Sequence, residues 1–207
     1  MIVSFRFGDR WDIRHFITPD NPEVLEVAAR FAHLPKEERV IELWRFVCEE
    51  IDYPLTRAGV ADDTHRLLAF PLRNYPFVGQ IFRISRDQVD FWQLSSETLS
   101  LGIEDCEGTS ILLCSLLRSG DLCSPDEVFV ALGAVGESGH AWVEYKGRML
   151  ETTLDGLPTS PRIVYNGDNR TGRFNDLYCE GSLTRSDPAA LLEVERIFGW
   201  RTKLRRR

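Results

Sequence analysis

The chain has 207 residues, 43% of them hydrophobic, and its 25 basic and 32 acidic residues give a net charge of −7. This content predicts one folded domain over residues 1–207 and argues against a disordered chain. The acidic balance argues against a nucleic-acid partner, which a basic face would favour. No apolar run approaches the ~18 residues of a membrane helix, and the first residues lack a signal-peptide core. We therefore expect a cytoplasmic protein with no membrane partner.

The first half of the chain is predicted to be mainly helical. A short alternating strand over residues 2–7 precedes a helix from Pro22 to about residue 31, with Asn21 as its cap. A second helix is predicted over residues 36–51, because apolar side chains recur there at three- and four-residue spacing. These side chains are Val40, Leu43, Trp44, Val47 and Ile51. Residues 55–90 mix proline, glycine and short apolar runs, which predicts loop with short helices.

The second half changes from helical to strand periodicity. A helix from Cys106 to about residue 118 is apolar over most of its surface, which predicts a central position. Strands are then predicted over residues 127–135, 140–145 and 148–154, the last two joined by a tight turn at Lys146-Gly147. Helices followed by antiparallel strands predict an α+β fold.

The rest of the chain is predicted to be an extension of that fold. Residues 156–176 are polar and rich in glycine, proline and asparagine, which predicts a long loop or flap. A last helix is expected to open at Asp187-Pro188 and to end near residue 198. We take residues 36–155 as the core and residues 156–207 as a C-terminal extension.

Five cysteines at irregular spacing do not form a disulfide framework, and without an export signal they predict free thiols. There is no matched pair of Cys-x-x-Cys motifs, so we predict no metal site. Cys48 and Cys114 fall at apolar helical positions, which predicts a place in the core. Cys123 precedes a strand, and Cys179 has no candidate base near it in the sequence.

Cys106 differs from the other cysteines because it begins a predicted helix. Backbone N–H groups and the positive end of the helix dipole favour a thiolate at such a position, which is the form that a sulfur nucleophile needs. The neighbouring carboxylates of Asp105 and Glu107 oppose this effect, unless they cap the helix and point away from the sulfur.

His140 begins a strand of the predicted hairpin. A two-residue turn at Lys146-Gly147 would place His140 opposite Thr153, with Glu151 and Asp155 as its diagonal neighbours on the same face. A carboxylate in that position can orient an imidazole and stabilise its protonated form. A turn longer by one residue would reverse the face.

Several segments, taken in order, resemble the transglutaminase-like superfamily of papain-like cysteine enzymes. They are Trp92-Gln-Leu-Ser-Ser-Glu97-Thr-Leu, Gly102-Ile-Glu-Asp-Cys106-Glu-Gly, Gly139-His-Ala-Trp-Val-Glu144 and Leu150-Glu-Thr-Thr153. The likeness covers about residues 36–155. It implies a papain-like fold, in which a helix carrying the nucleophile packs on an antiparallel sheet, with Cys106 as nucleophile and His140 as base.

The resemblance also implies an acid and an oxyanion donor, with alternatives for each. The position of the family's Asp is occupied by Glu151, and Asp155 is the alternative acid. Gln93 and Trp92 are the candidates for a side-chain N–H in the oxyanion hole. The implied activity is attack on a peptide or protein amide through a thioester, without a cofactor. Hydrolysis by a protease or amidase is favoured, and the alternatives are a transglutaminase and a non-catalytic binding or scaffold module.

Overall fold

The computed structural model describes residues 2–6, 9–54, 92–135, 138–153 and 170–181. The predictions for residues 55–90 and for the helix after Asp187 lie outside the described residues. None of the described helices is both long and apolar enough to cross a membrane.

Two helices near the N-terminus form as their sequences predict. Helix α1 is Pro22–Arg30, and the Asn21 side chain caps it by accepting hydrogen bonds from the N–H groups of Glu23 and Val24. Helix α2 is Lys36–Glu50. Its apolar stripe is buried at Val40, Leu43 and Val47, which places the helix against the core.

Two α-helices lie within the described residues that follow residue 92. Helix α3 is Ser95–Leu101, which the sequence analysis did not predict, and the Glu97 carboxylate caps it by accepting from the Leu94 N–H at 2.7 Å. The chain leaves α3 through Gly102, whose φ of +68° is easy only for glycine. Helix α4 is Cys106–Arg118, as predicted. Cys106 is therefore the first residue of the helix.

The end of α2 is joined to the segment that leads into α4. The Asp52 N–H donates to the Gly102 carbonyl at 2.9 Å, and the Glu104 N–H donates to the Asp52 carbonyl at 3.0 Å. These two bonds form a short parallel bridge, in which Asp52 pairs with Ile103. The bridge fixes the backbone two residues before Cys106.

The strands form a small hairpin and a larger antiparallel sheet. The larger sheet has five strands in the order β5-β4-β3-β6-β7, with β3 at its centre between β4 and β6. The strands are β1 Ile2–Arg6, β2 Asp9–Asp12, β3 Val128–Val135, β4 Ser138–Tyr145, β5 Arg148–Leu150, β6 Arg170–Phe174 and β7 Cys179–Gly181.

Two strand predictions need correction. Strand β6 lies within residues 156–176, which were predicted to be loop. Its sequence has little apolar character, and it pairs on one side with β3, far away in the chain, and on the other side with β7. Strand β5 ends at Leu150 rather than at residue 154, because the chain bends at residues 152 and 153.

Helix α4 packs on the larger sheet and is the centre of the core. Its residues from 108 to 117 are all buried. Alternate residues of β4, namely Ala141, Val143 and Tyr145, belong to the same core, while Trp142 packs with Ala131 and Met149 in a second cluster. The two clusters lie on opposite faces of the sheet because side chains alternate along a strand. The predicted α+β fold is confirmed, as is the central position of the Cys106 helix.

Candidate active site

The hairpin between β4 and β5 has the predicted turn and register. Lys146 and Gly147 both adopt positive φ, +49° and +73°, as the tightest hairpin turn requires. Tyr145 pairs with Arg148, and Val143 pairs with Leu150. This register fixes which residues beyond β5 lie on the same face as His140.

His140 and Glu151 are in direct contact. The His140 Nε2 atom lies 2.7 Å from Glu151 Oε2, and both side chains are mostly buried. With a carboxylate at Nε2, the neutral imidazole carries its proton on Nε2 and its basic lone pair on Nδ1. The alternative acid, Asp155, lies outside the described residues.

The environment of Glu151 favours its charged form. Burial acts to raise the pKa of this carboxyl, but the hydrogen bond and charge of His140 and two hydrogen bonds from Thr153 outweigh it, so the pKa lies below its ordinary value of 4.5. The Thr153 N–H and hydroxyl both donate to Glu151 Oε1, at 3.0 and 2.8 Å. Each carboxylate oxygen thus has its own donor, which holds the group at one angle.

Cys106 lies beside the strand that carries His140. Its side chain is buried, with 6% of the residue exposed, and the backbone N–H of Ala141 donates to its sulfur. Because Ala141 follows His140 directly, the first turn of α4 and the start of β4 meet at this point.

The two acids that flank Cys106 do not turn away from the sulfur. The Cys106 thiol donates to Glu107 Oε2 at 3.0 Å, and Asp105 makes no side-chain cap on α4. Burial raises the pKa of the Cys106 thiol far above its ordinary range, and the charges of Glu107 and Asp105 raise it further, against the opposing effect of the Ala141 N–H. These surroundings favour the neutral thiol, contrary to the effect expected from its helix position alone.

The two predicted oxyanion donors have different surroundings. Trp92 packs in the core, with its ring 5.4 Å from that of Phe16 and stacked 6.1 Å from that of Phe174. The Gln93 side chain is fully buried, and within the described residues neither its Oε1 nor its Nε2 atom has a hydrogen-bond partner. A buried amide without partners is rare, because it loses its bonds to water without replacement.

The other four cysteines are free thiols, like Cys106. Cys114 and Cys123 are fully buried, as a core position requires, whereas Cys48 is only partly buried and Cys179 begins β7. Among the residues that the structure describes, no group of three or more His, Cys, Asp or Glu side chains is placed to hold a metal ion.

The structure adds contacts that the sequence analysis did not identify. The Trp44 indole N–H donates to the Glu151 backbone carbonyl at 2.7 Å. Thr152, the next residue, hydrogen-bonds through its hydroxyl to Thr109 at 2.8 Å and to Ser110 at 3.3 Å. Helices α2 and α4 therefore both hold the segment that follows β5. The only sequence signal for this was the position of Trp44 on the apolar stripe of α2.

No protein-family model matches this chain, and no curated protein matches it. Solved structures of LapG from Legionella pneumophila are similar to this chain at 15% identity. One has a TM-score of 0.49 and covers 84% of this chain and 83% of the LapG chain. An EGTA-treated form has a TM-score of 0.49 and covers 84% of each chain, and a calcium-bound form has a TM-score of 0.46 and covers 83% of this chain and 86% of the LapG chain. Similarity at this level leaves the function of this chain to be inferred from its own residues.

Proposed function

We propose that this chain is a cysteine-dependent acyl-transfer enzyme, with Cys106 as nucleophile, His140 as general base and Glu151 as the acid that orients His140. The observation that carries the proposal is the start of β4. There, His140 is held by Glu151 at 2.7 Å, while the adjacent Ala141 N–H donates to the Cys106 sulfur. A nucleophile, a base and an oriented carboxylate are the parts that this chemistry needs.

In the first step, the Cys106 sulfur attacks the carbonyl carbon of an amide. Because the resting thiol is neutral, its proton passes to His140 Nδ1 as the S–C bond forms, rather than before attack. The protonated imidazole then gives that proton to the leaving amine, the C–N bond breaks and a thioester results. Backbone N–H groups at the start of α4 and the Gln93 amide stabilise the oxyanion.

In the second step, water attacks the thioester and gives a proton to His140. The S–C bond breaks, the carboxylic acid leaves, and the sulfur recovers its proton from the imidazolium. The products are an amine and a carboxylic acid, with no cofactor consumed. We propose peptide or protein amides as substrates and hydrolysis as the outcome, since water is the acceptor wherever no amine is bound.

The experiment uses p-nitrophenyl acetate, an activated ester that reports the attack step without knowledge of the natural substrate. Wild type should release p-nitrophenolate and carry an acetyl group on Cys106, seen by mass spectrometry of the intact protein and its peptides. Cys106→Ala should abolish this labelling, and His140→Gln should slow it by about 10²–10⁴-fold, the usual contribution of a general base.

Two outcomes would contradict the proposal. One is acetylation of wild type no faster than that of a small thiol at the same pH. The other is a rate unaffected by His140→Gln. Either would favour a binding module that has the fold without the chemistry. Adding a primary amine tests the remaining alternative, because faster loss of the acetyl group by transfer to that amine would indicate a transglutaminase.

A further inference from the structure

Glu151 lies just beyond the sheet, so the sheet does not orient its peptide group. The hydrogen-bonded pairs of β4 and β5 end at Val143 and Leu150, and Glu151 is outside the strand. A mostly buried backbone carbonyl in that position needs another donor. Its donors come from α2, a helix that lies about 100 positions earlier in the chain.

Two side chains of α2 supply those donors. The Trp44 N–H lies 2.7 Å from the Glu151 carbonyl oxygen, and the Cys48 sulfur lies 3.6 Å from it. Trp44 and Cys48 are four residues apart, so they share one face of the helix. Burial, with the charges of Glu151 and Glu49, raises the pKa of Cys48 to about 12, which keeps this thiol protonated and able to donate.

The carbonyl and the carboxylate of Glu151 are held separately. Helix α2 binds the carbonyl, whereas Thr153 and His140 bind the two oxygens of the carboxylate. The neighbouring Thr152 hydroxyl is held by Thr109 of α4. Hydrogen bonds from α2 and α4 thus fix the backbone at Glu151 and Thr152. As a result, the Glu151 side chain points toward His140 in a fixed direction.

We propose that Trp44 is a positioning residue for this site: its indole N–H, with the Cys48 thiol as a second and longer donor, fixes the Glu151 peptide and thereby the angle at which Glu151 holds His140. This inference rests on the proposed function for its effect on catalysis. Its effect on the contact between His140 and Glu151 does not depend on catalysis.

The central variant is Trp44→Phe, which keeps an aromatic ring against the core and removes the N–H donor together with the five-membered ring that carries it. The matched control is Tyr145→Phe, because the Tyr145 hydroxyl also joins the sheet to α2, at Glu37, 3.1 Å away and in the first turn of the helix. Each variant loses one aromatic donor, in a hydrogen bond that joins α2 either to β4 or to the segment that follows β5. Only Trp44→Phe loses it at Glu151.

The first readout is the proton NMR signal of the His140 Nε2–H group, identified by its absence in His140→Gln. The bond to Glu151 protects this proton from exchange in wild type. We expect the signal to broaden or disappear in Trp44→Phe, to weaken less in Cys48→Ala, and to stay in Tyr145→Phe. An unchanged signal in Trp44→Phe, in a sample that urea unfolding shows to be folded, would overturn the inference. If Trp44→Phe does not fold, the same signal is measured in Cys48→Ala, and an unchanged signal there would overturn the inference.

The second readout is acetylation by p-nitrophenyl acetate in a double-mutant cycle. Trp44→Phe should slow acetylation about threefold to tenfold, as for one lost hydrogen bond, and should have no further effect in Glu151→Gln. Equal slowing in both backgrounds would show a purely structural role and overturn the inference. If wild type is not acetylated while the NMR signal depends on Trp44, the proposed function fails and the positioning role stands.

Discussion

The two ends of helix α4 differ in whether the buried polar groups around them have hydrogen-bond partners. At the C-terminal end, Arg118 binds both carboxylate oxygens of Asp176, at 2.7 and 2.9 Å, and also donates to the Cys123 carbonyl. Nearby, the Asn175 amide donates to the carbonyls of Pro125 and Val128 and accepts two backbone N–H groups. The polar side-chain atoms of Arg118, Asp176 and Asn175 thus all have hydrogen-bond partners.

At the N-terminal end of α4, by contrast, some buried polar groups have surroundings that lower the stability of the fold. Gln93 is buried with its amide unpaired within the described residues, and the Cys106 thiol shares its surroundings with two carboxylates. Folded proteins satisfy buried polar groups almost everywhere, and exceptions concentrate where a site acts on a ligand. This contrast is what the proposed active site at the N-terminal end of α4 predicts.

The largest expected effect comes from Gln93→Leu, which replaces the unpaired amide with an apolar side chain of similar size. Acetylation of Cys106 should fall by about 10²–10³-fold, the usual cost of losing an oxyanion donor. The free energy of unfolding should rise by about 1–3 kcal/mol, since an unsatisfied buried group is removed. Stopped-flow acetylation and urea unfolding measure the two effects, and a loss of stability would contradict the contrast between the ends.

Arg118→Met is the corresponding change at the other end. It keeps the apolar stem of the side chain and leaves the mostly buried Asp176 without its cation. The free energy of unfolding should fall by about 3 kcal/mol, while the acetylation rate of the folded protein should not change. Slower acetylation of Cys106 with an unchanged free energy of unfolding would show that Arg118 affects the site at the other end of α4.

Glu107→Gln tests the carboxylate that holds the Cys106 thiol. Alkylation of Cys106 by iodoacetamide at neutral pH should become about tenfold faster, because a hydrogen bond to a charged acceptor contributes about 1.5–3 kcal/mol to the thiol form. Labelling of Cys48 in the same sample is the internal control and should stay constant. Slower labelling of Cys106 would mean that Glu107 activates the sulfur.

The smallest effect concerns pH and Glu151. Its pKa is lower in the folded chain than its ordinary value of 4.5, so its charge stabilises the fold fully above that pH and progressively less as the pH falls through the folded pKa. Urea unfolding of wild type and Glu151→Gln should therefore give a difference in stability that narrows from pH 7 toward pH 3. A constant difference would indicate that the contact with His140 acts through packing alone.

The sequence was most informative where local chemistry decides structure. The Lys146-Gly147 turn fixed the hairpin register and so placed Glu151 beside His140. The start of α4 at Cys106 was also readable, since polar residues and a glycine precede a long apolar run. In both cases the residues that decide the structure are close together in the chain.

Long-range contacts and side-chain directions could not be read in the same way. Trp44 and Glu151 are 107 positions apart, and the pairing of β6 with β3 likewise joins segments that are far apart in the chain. The direction of the Glu107 carboxylate depends on its side-chain rotamer, which the sequence pattern does not specify. The acid beside His140 could therefore be predicted from the sequence, whereas its contacts with α2 and the directions of the acids beside Cys106 could not.

The hairpin turn has a consequence for how chains of this kind can vary. Surface turns usually accept insertions at little cost, but one added residue between Lys146 and Gly147 would move Glu151 to the opposite face of the sheet. Two added residues would restore the face and displace the carboxylate along the strand. The length of this exposed turn is thus restricted, although its residues take no part in the proposed chemistry. We expect a library of insertions across residues 144–149 to tolerate almost no change in length.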